Sequence, residues 1–378
     1  MSLPPFRPRI LLGWIVAVLS FASACAADPA VDMWRANKAT FENYANNMRP
    51  LPQHRMSEIM LLRPEGKYLV LRTPLNDLAA EQEMRVTIDG VHGIGAVSVR
   101  RDDRTTGLAE PLGFRLAFGD FPVPCKSTNI NITLDPLSRQ LALSNLVQIT
   151  NGPIYQVIFT QQKPQTAGGQ GYVQLIIIQT RTQGAAPDQV NLQSPDFFSF
   201  IREHPAETEQ HLRPLFREFG QEAVFAPDTL IAWQVFNDLW KPDAGIGRQV
   251  DALLPGLKSY DYHARDAAQF RLQQLGRDGA AVLMHLDRSR LTPEQNARVD
   301  CALAPYALLP AKEAARLGND TGFLLDCLYS DNVDLRAAAF NRLRGAGRPA
   351  LQFDLNADAE NRSHAIQGLR EQLMPHRG

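Results

Sequence analysis

"ARDAAQFRLQQLG", Ala264–Gly276, reads as one amphipathic helix that ends on a glycine. Ala264, Ala268, Leu272 and Leu275 share one helical face. Asp261 stands before it as an N-cap, and Gly276 sits where a left-handed C′ residue stops a helix. The stretch decides the fold because it returns as "LRAAAFNRLRGAG", Leu335–Gly347. Arg265 matches Arg336, Ala267 and Ala268 match Ala338 and Ala339, Leu272 matches Leu343, and Gly276 matches Gly347. After Gly276, "RDGAAVLMHL" supplies a second, shorter helix, and "LGRDGAAVLMHL" is echoed by "LGNDTGFLLDCL", Leu317–Leu328. Internal similarity of this kind predicts stacked helical units near 261–286, 310–328 and 333–355.

Helix, glycine stop, second helix, with alanine at close crossings and leucine between units, resembles the HEAT and armadillo-like helical repeats. The resemblance covers about the last third of the chain. It implies an extended surface for binding.

Working outward, residues 194–378 read as helical. Ser194 is a predicted N-cap with Pro195 behind it, and Gly220 ends a helix over "PAETEQHLRPLFREFG". Thr292-Pro293-Glu294-Gln295 has the form of a capping box. The polar stretch 184–193 reads as an interdomain linker.

Upstream, the period changes. Between 56 and 183 the chain is a series of strand-like runs, among them "YLVLR", "GFRLAFG", "NINITLD", "IYQVIFTQ" and "YVQLIIIQTRT". "EIMLL" at the start reads as another. Ile130, Ile132 and Leu134 alternate onto one face, while Tyr172–Ile178 is apolar enough for a central strand. Turns such as Asp89-Gly90 and Asn151-Gly152-Pro153 separate the runs without helices between them. The expected fold class is therefore α+β in two domains. An antiparallel β-sandwich or partly open barrel is followed by the helical domain. A short helical segment over 28–52 precedes both.

Residues 1–26 have the order of a secretory signal peptide: Arg7 and Arg9, an apolar run from Ile10 to Phe21, then small residues. Cutting before Cys25 or before Ala27 both fit. "FASAC" resembles the bacterial lipobox, with Ala22 where that motif prefers leucine, so Cys25 is a candidate lipidation site. The expectation is an exported protein of the periplasm, the outer membrane or the extracellular space. Its contact with membrane would be only through signal peptide or lipid anchor. Export permits disulfides, and Cys301 and Cys327 on neighbouring helices are the candidate pair, which leaves Cys125 odd. Three buried thiols are the plainer alternative.

The 378 residues carry 39 basic and 40 acidic side chains, a balance that argues against a broad nucleic-acid surface. No GxSxG, Walker A, HExxH or EF-hand pattern occurs, and no CxxC, so no cofactor is expected. His204 and His211, seven apart on adjoining helical segments, could share a face for a metal with Glu203 or Glu207 nearby, surface histidines being the plainer reading. "RDDR", Arg101-Asp102-Asp103-Arg104, reads as a charged hairpin turn and a candidate partner contact. Trp233, Phe236 and Trp240 are spaced as a helical core stripe, or as a sugar or partner platform if exposed. The first functional expectation is an exported, non-catalytic binding or scaffold protein of the cell envelope with a protein partner. The second is a module holding a glycan or small molecule in the β domain. The last is an envelope hydrolase without a recognisable motif.

Overall fold

The structure, a computed structural model, describes residues 35–40, 42–43, 46–50, 53–74, 84–88, 93–100, 110–123, 126–135, 137–149, 152–164, 169–181, 186–306, 309–345 and 350–374. Of the 28–52 segment, residues 35–40 are helical, whereas Met33, Trp34, Phe41 and Tyr44 lie outside the described residues. The chain divides into two compact units, Met1–Val224 and Phe225–Gly378.

The first unit is built on one sheet. Its strands are β1 (Arg49–Pro50), β4 (Met84–Val86), β5 (Ile94–Arg100), β6 (Gly113–Val123), β7 (Lys126–Leu134), β8 (Gln140–Ile149), β9 (Ile154–Gln162), β10 (Tyr172–Thr180) and β11 (Asp188–Ser194). From β4 to β11 each strand pairs with the next in sequence, antiparallel, while β1 adds in parallel to β4. β1 and β11 are edges, so the sheet does not close into a barrel. Short turns between alternating runs require this meander, because only antiparallel neighbours can be joined without a crossover. Burial follows the pleat: Ile130, Ile132 and Leu134 are buried on one face, as their alternation predicts. β10 is paired on both sides, and its inner face holds Val173, Leu175 and Ile177.

Two expectations are corrected here. "EIMLL" is not a single strand: Met56–Ile59 forms one helical turn, α1, and strand β2 (Leu61–Glu65) begins only after it. Glu58 is the cause, since its carboxylate accepts from the Arg55 backbone N–H at 3.2 Å and meets His54 Nδ1 at 3.0 Å, closing the turn. The stretch 184–193 is not a linker either, because it supplies β11. Val190, Leu192 and Ser194 pair with Ile177, Leu175 and Val173. The polar composition belongs to the other face, where Gln174 Nε2 donates to Asn191 Oδ1 at 2.9 Å.

β2 (Leu61–Glu65) and β3 (Tyr68–Arg72) form a separate hairpin whose strand edges are closed by side chains. Buried Gln161 of β9 donates to the Leu69 carbonyl and accepts from the Leu69 N–H, both at 2.8 Å. Buried Gln221 accepts from Leu62 N–H at 2.9 Å. An amide carries one donor group and one acceptor, so it can replace a neighbouring strand residue.

The unit boundary lies at Val224, not at 193, because the next helices bury their apolar faces on the sheet. These are α2 (Phe197–Glu203), α3 (Pro205–Glu207) and α4 (Arg213–Glu218), the last two joined by a π turn over Thr208–Leu212. Phe159 of β9 meets Phe197 and Phe216 edge-on at ring distances of 6.1 and 5.5 Å.

The second unit is helical. It contains α5 (Thr229–Val235), α6 (Ala244–Leu253), α7 (Tyr262–Gln274), α8 (Gly276–Met284), α9 (Pro293–Leu303), α10 (Ala311–Leu317), α11 (Thr321–Cys327), α12 (Val333–Gly345) and α13 (Ala359–Leu373). Gly276 has φ +60°, the left-handed stop that its position predicts. A Cβ on Gly256 would lie 2.9 Å from Cβ of Ala268, so small residues do mark a close crossing. α10 and α11 form the second helix pair, but residues 350–358 after α12 are irregular, so the third unit has no second helix there. α5 joins two cores: Leu230 belongs with α6 to α9, and Trp233 and Phe236 with α11 to α13.

The matched arginines are equivalent in structure. Arg265 Nη1 donates to the carbonyl of Ser259 and Arg336 Nη1 to that of Ser330, each six residues upstream and each at 2.8 Å. In both places the serine hydroxyl also accepts from the cap residue's N–H at 3.2 Å, and Asp261 or Asn332 accepts from the helix at 3.0 Å.

Candidate functional site

A cleft of about 440 Å³ opens in the helical unit, between the amino ends of α5, α8 and α12. The sequence explains why those ends are fixed. Asp228 caps α5 by accepting from Leu230 N–H at 2.9 Å, and its other oxygen is ion-paired with Arg277 in the first turn of α8. Asp243 caps α6 by accepting from Gly245 and Ile246 at 2.8 and 2.9 Å. Asn332 caps α12 through Leu335 N–H at 3.0 Å. All but Asp228 line the cleft directly.

The floor is apolar: Leu230, Trp233, Ala281 and Ala338 are buried, and Trp240 and Val282 half-buried. Trp240 is held by His285, whose ring stacks on it with centroids 3.9 Å apart and planes 9° from parallel. His285 is fixed in turn, its Nδ1–H donating to the Ala281 carbonyl at 2.7 Å. The rim is polar and exposed. On it, Asp278, Asp334, Asn341 and Lys241 have side chains with no hydrogen bond or ion pair among the described residues.

The charges nearly cancel. Asp228 and Arg277 neutralise one another. Asp243, Asp278 and Asp334 then exceed Lys241 by two charges, most of which the amino ends of α6, α8 and α12 offset, each worth about half a positive charge. The cleft can therefore bury apolar surface on tryptophan and offer hydrogen bonds around it, without a strong field of either sign.

No protein family, curated protein or solved structure matches the chain. The site therefore stands on its own residues. Trp233 and Phe236 are buried in the core, but α5 ends at Val235, so Trp240 lies beyond the expected helical stripe and is half-buried; Trp233 and Trp240 line the cleft floor.

The other sequence candidates go elsewhere. Cys25, Arg101, Asp102, Asp103 and Arg104 lie outside the described residues. The Cys301–Cys327 disulfide does not form, for both thiols are free. Cys301 is exposed on α9, while Cys327 is enclosed in the core of α11 to α13, where burial and then Asp326 push its thiol well up. His204 and His211 do not share a site. The His204 ring packs at 4.9 Å from that of Phe200, and His211 Nδ1 lies 2.7 Å from the Tyr155 hydroxyl. Glu203 accepts from the Ser194 hydroxyl at 2.6 Å. Burial holds His211 below its ordinary pKa, partly offset by Glu207, which favours the neutral ring beside the Tyr155 hydroxyl.

Proposed function

We propose that the protein is an exported, non-catalytic binding protein of the cell envelope, and that the cleft of the helical unit is its contact surface. The observation that carries this reading is the cleft itself: a buried aromatic and aliphatic floor inside a rim of polar side chains that the fold does not use. Binding sites concentrate energy in such a desolvated centre, with polar groups around it setting orientation. The carboxylates of Asp228 and Asp243 hold helix ends, which is structural work.

Affinity capture from an envelope extract tests the reading, using the full chain and an Ala337→Arg variant. Ala337 lines the cleft and is half-buried, so the long side chain obstructs the floor. The expected result is material retained by the parent protein and lost with the variant. Equal retention by both proteins, or none by either, would overturn it.

A further inference from the structure

We infer that the occupant of the cleft is a neutral saccharide chain, an inference that rests on the binding reading above. Three observations point the same way.

The first is charge. With Asp228 spent on Arg277, the remaining three carboxylates are offset by Lys241 and largely by the helix amino ends. A strongly cationic peptide would need a net negative site, and a phosphate or uronate ligand a net positive one. The cleft has no positive excess and only a small negative one.

The second is the shape of the polar groups. Asp278, Asp334 and Asn341 present planar carboxylate or amide ends that the fold leaves unused. Each carries two hydrogen-bonding atoms side by side, the spacing that meets two adjacent hydroxyls of a sugar ring. Carboxylates accept from hydroxyls, while the Asn341 amide and Lys241 ammonium donate to hydroxyl and ring oxygens. A polyhydroxyl ligand is a neutral class that can satisfy acceptors and donors mixed along one rim.

The third is the aromatic wall. Sugar rings have one face of C–H groups, and they lose least water when that face lies on indole. Trp240 is held flat by the His285 ring, so its orientation is set before a ligand arrives. Such preorganisation lowers the ordering cost of binding. About 440 Å³ lies within the range that accommodates a bound small molecule and suits a short oligosaccharide segment. The sequence attached a glycan reading to the β domain; the aromatic and polar groups that suit one come together in the helical unit instead.

The test uses the full chain on a printed array of neutral and acidic glycans. It is followed by titration of the best neutral hit, read by calorimetry and tryptophan fluorescence. Asp334→Ala/Asn341→Ala alters two exposed side chains of α12 and leaves the core intact. Expected are binding to neutral glycans over acidic ones, and a loss of about tenfold or more in the double variant. Trp240→Ala should weaken binding further. Mild periodate, which cleaves vicinal diols, should remove the cleft-dependent material from the envelope extract. Failure of every neutral glycan, preference for acidic glycans or a triarginine peptide, or full affinity in the double variant overturns the inference. If capture is blocked by Ala337→Arg yet insensitive to periodate, the binding reading stands and the saccharide assignment falls.

Discussion

Arg265 and Arg336 show how far one matched residue can be read. Their alignment was legible from the sequence, and so was a structural role for both. What the alignment does not show is how differently the two are surrounded. Arg336 is buried and donates to the Ser330 carbonyl at 2.8 Å and, from Nε, to that of Leu355 at 2.9 Å. Arg265 makes the equivalent bond half-buried, with a second bond to the exposed Tyr260 carbonyl where Arg336 has the Leu355 carbonyl. Arg336→Met should therefore cost about 2 kcal/mol, because buried carbonyls are left unpaired, and Arg265→Met less, about 1 kcal/mol. Urea denaturation of both variants measures the difference, and equal losses would contradict it. The sequence also carries a serine six residues before each arginine, whose hydroxyl and carbonyl complete the same turn. The cleft residues Asp278, Asp334 and Asn341 carry no comparable signal, since the surface of any helix has such side chains.

At the level of elements, alternation predicted most of the sheet because one face is buried and the pleat has a period of two. It failed at β11, an edge strand whose outer face is solvated, so that composition resembles a loop. It also gave no hint that the β2–β3 hairpin is sealed by glutamines. Gln161→Glu tests that seal. The carboxylate loses the donor that meets the Leu69 carbonyl and places negative charge against it. The expected loss is about 2–4 kcal/mol at neutral pH. Burial raises the folded-state pKa of this glutamate above its unfolded value, so the folded state binds more protons. The defect must shrink as pH falls through that raised value. A thermal melt series from pH 7.5 to 4.5 reads it, and a constant deficit would refute the arrangement.

At the level of the whole molecule, the division into units depends on which apolar faces meet, and helical periodicity alone does not reveal that. α2 to α4 look like the start of the helical domain, yet Phe197 and Phe216 are committed to Phe159 of the sheet. That packing also gives the first unit a pH response. His211 is neutral against Tyr155, with its pKa depressed by burial. Below its ordinary value of about 6.5 the unfolded chain binds a proton that the folded chain refuses, so stability falls as pH drops below that point. Carboxylates held low, such as Asp135, add their own loss only at more acid pH. Denaturation midpoints should decline between pH 7 and 5.5, and His211→Gln should flatten that part of the curve. An unchanged slope would remove His211 as the source.

The pairing order of the sheet has a consequence for how the chain finds its fold. Each antiparallel contact from β4 to β11 joins strands adjacent in sequence. Each therefore closes a short loop, and the entropy lost per closure is small. The glutamine contacts to the hairpin span 92 and 159 residues. Contacts of such separation repay their closure cost only once the intervening chain is ordered. The meander can therefore form strand by strand in the order of synthesis, while β2–β3, made before it, waits for side chains that arrive much later. Among the described residues, the earliest hairpin is thus secured only by side chains of later elements.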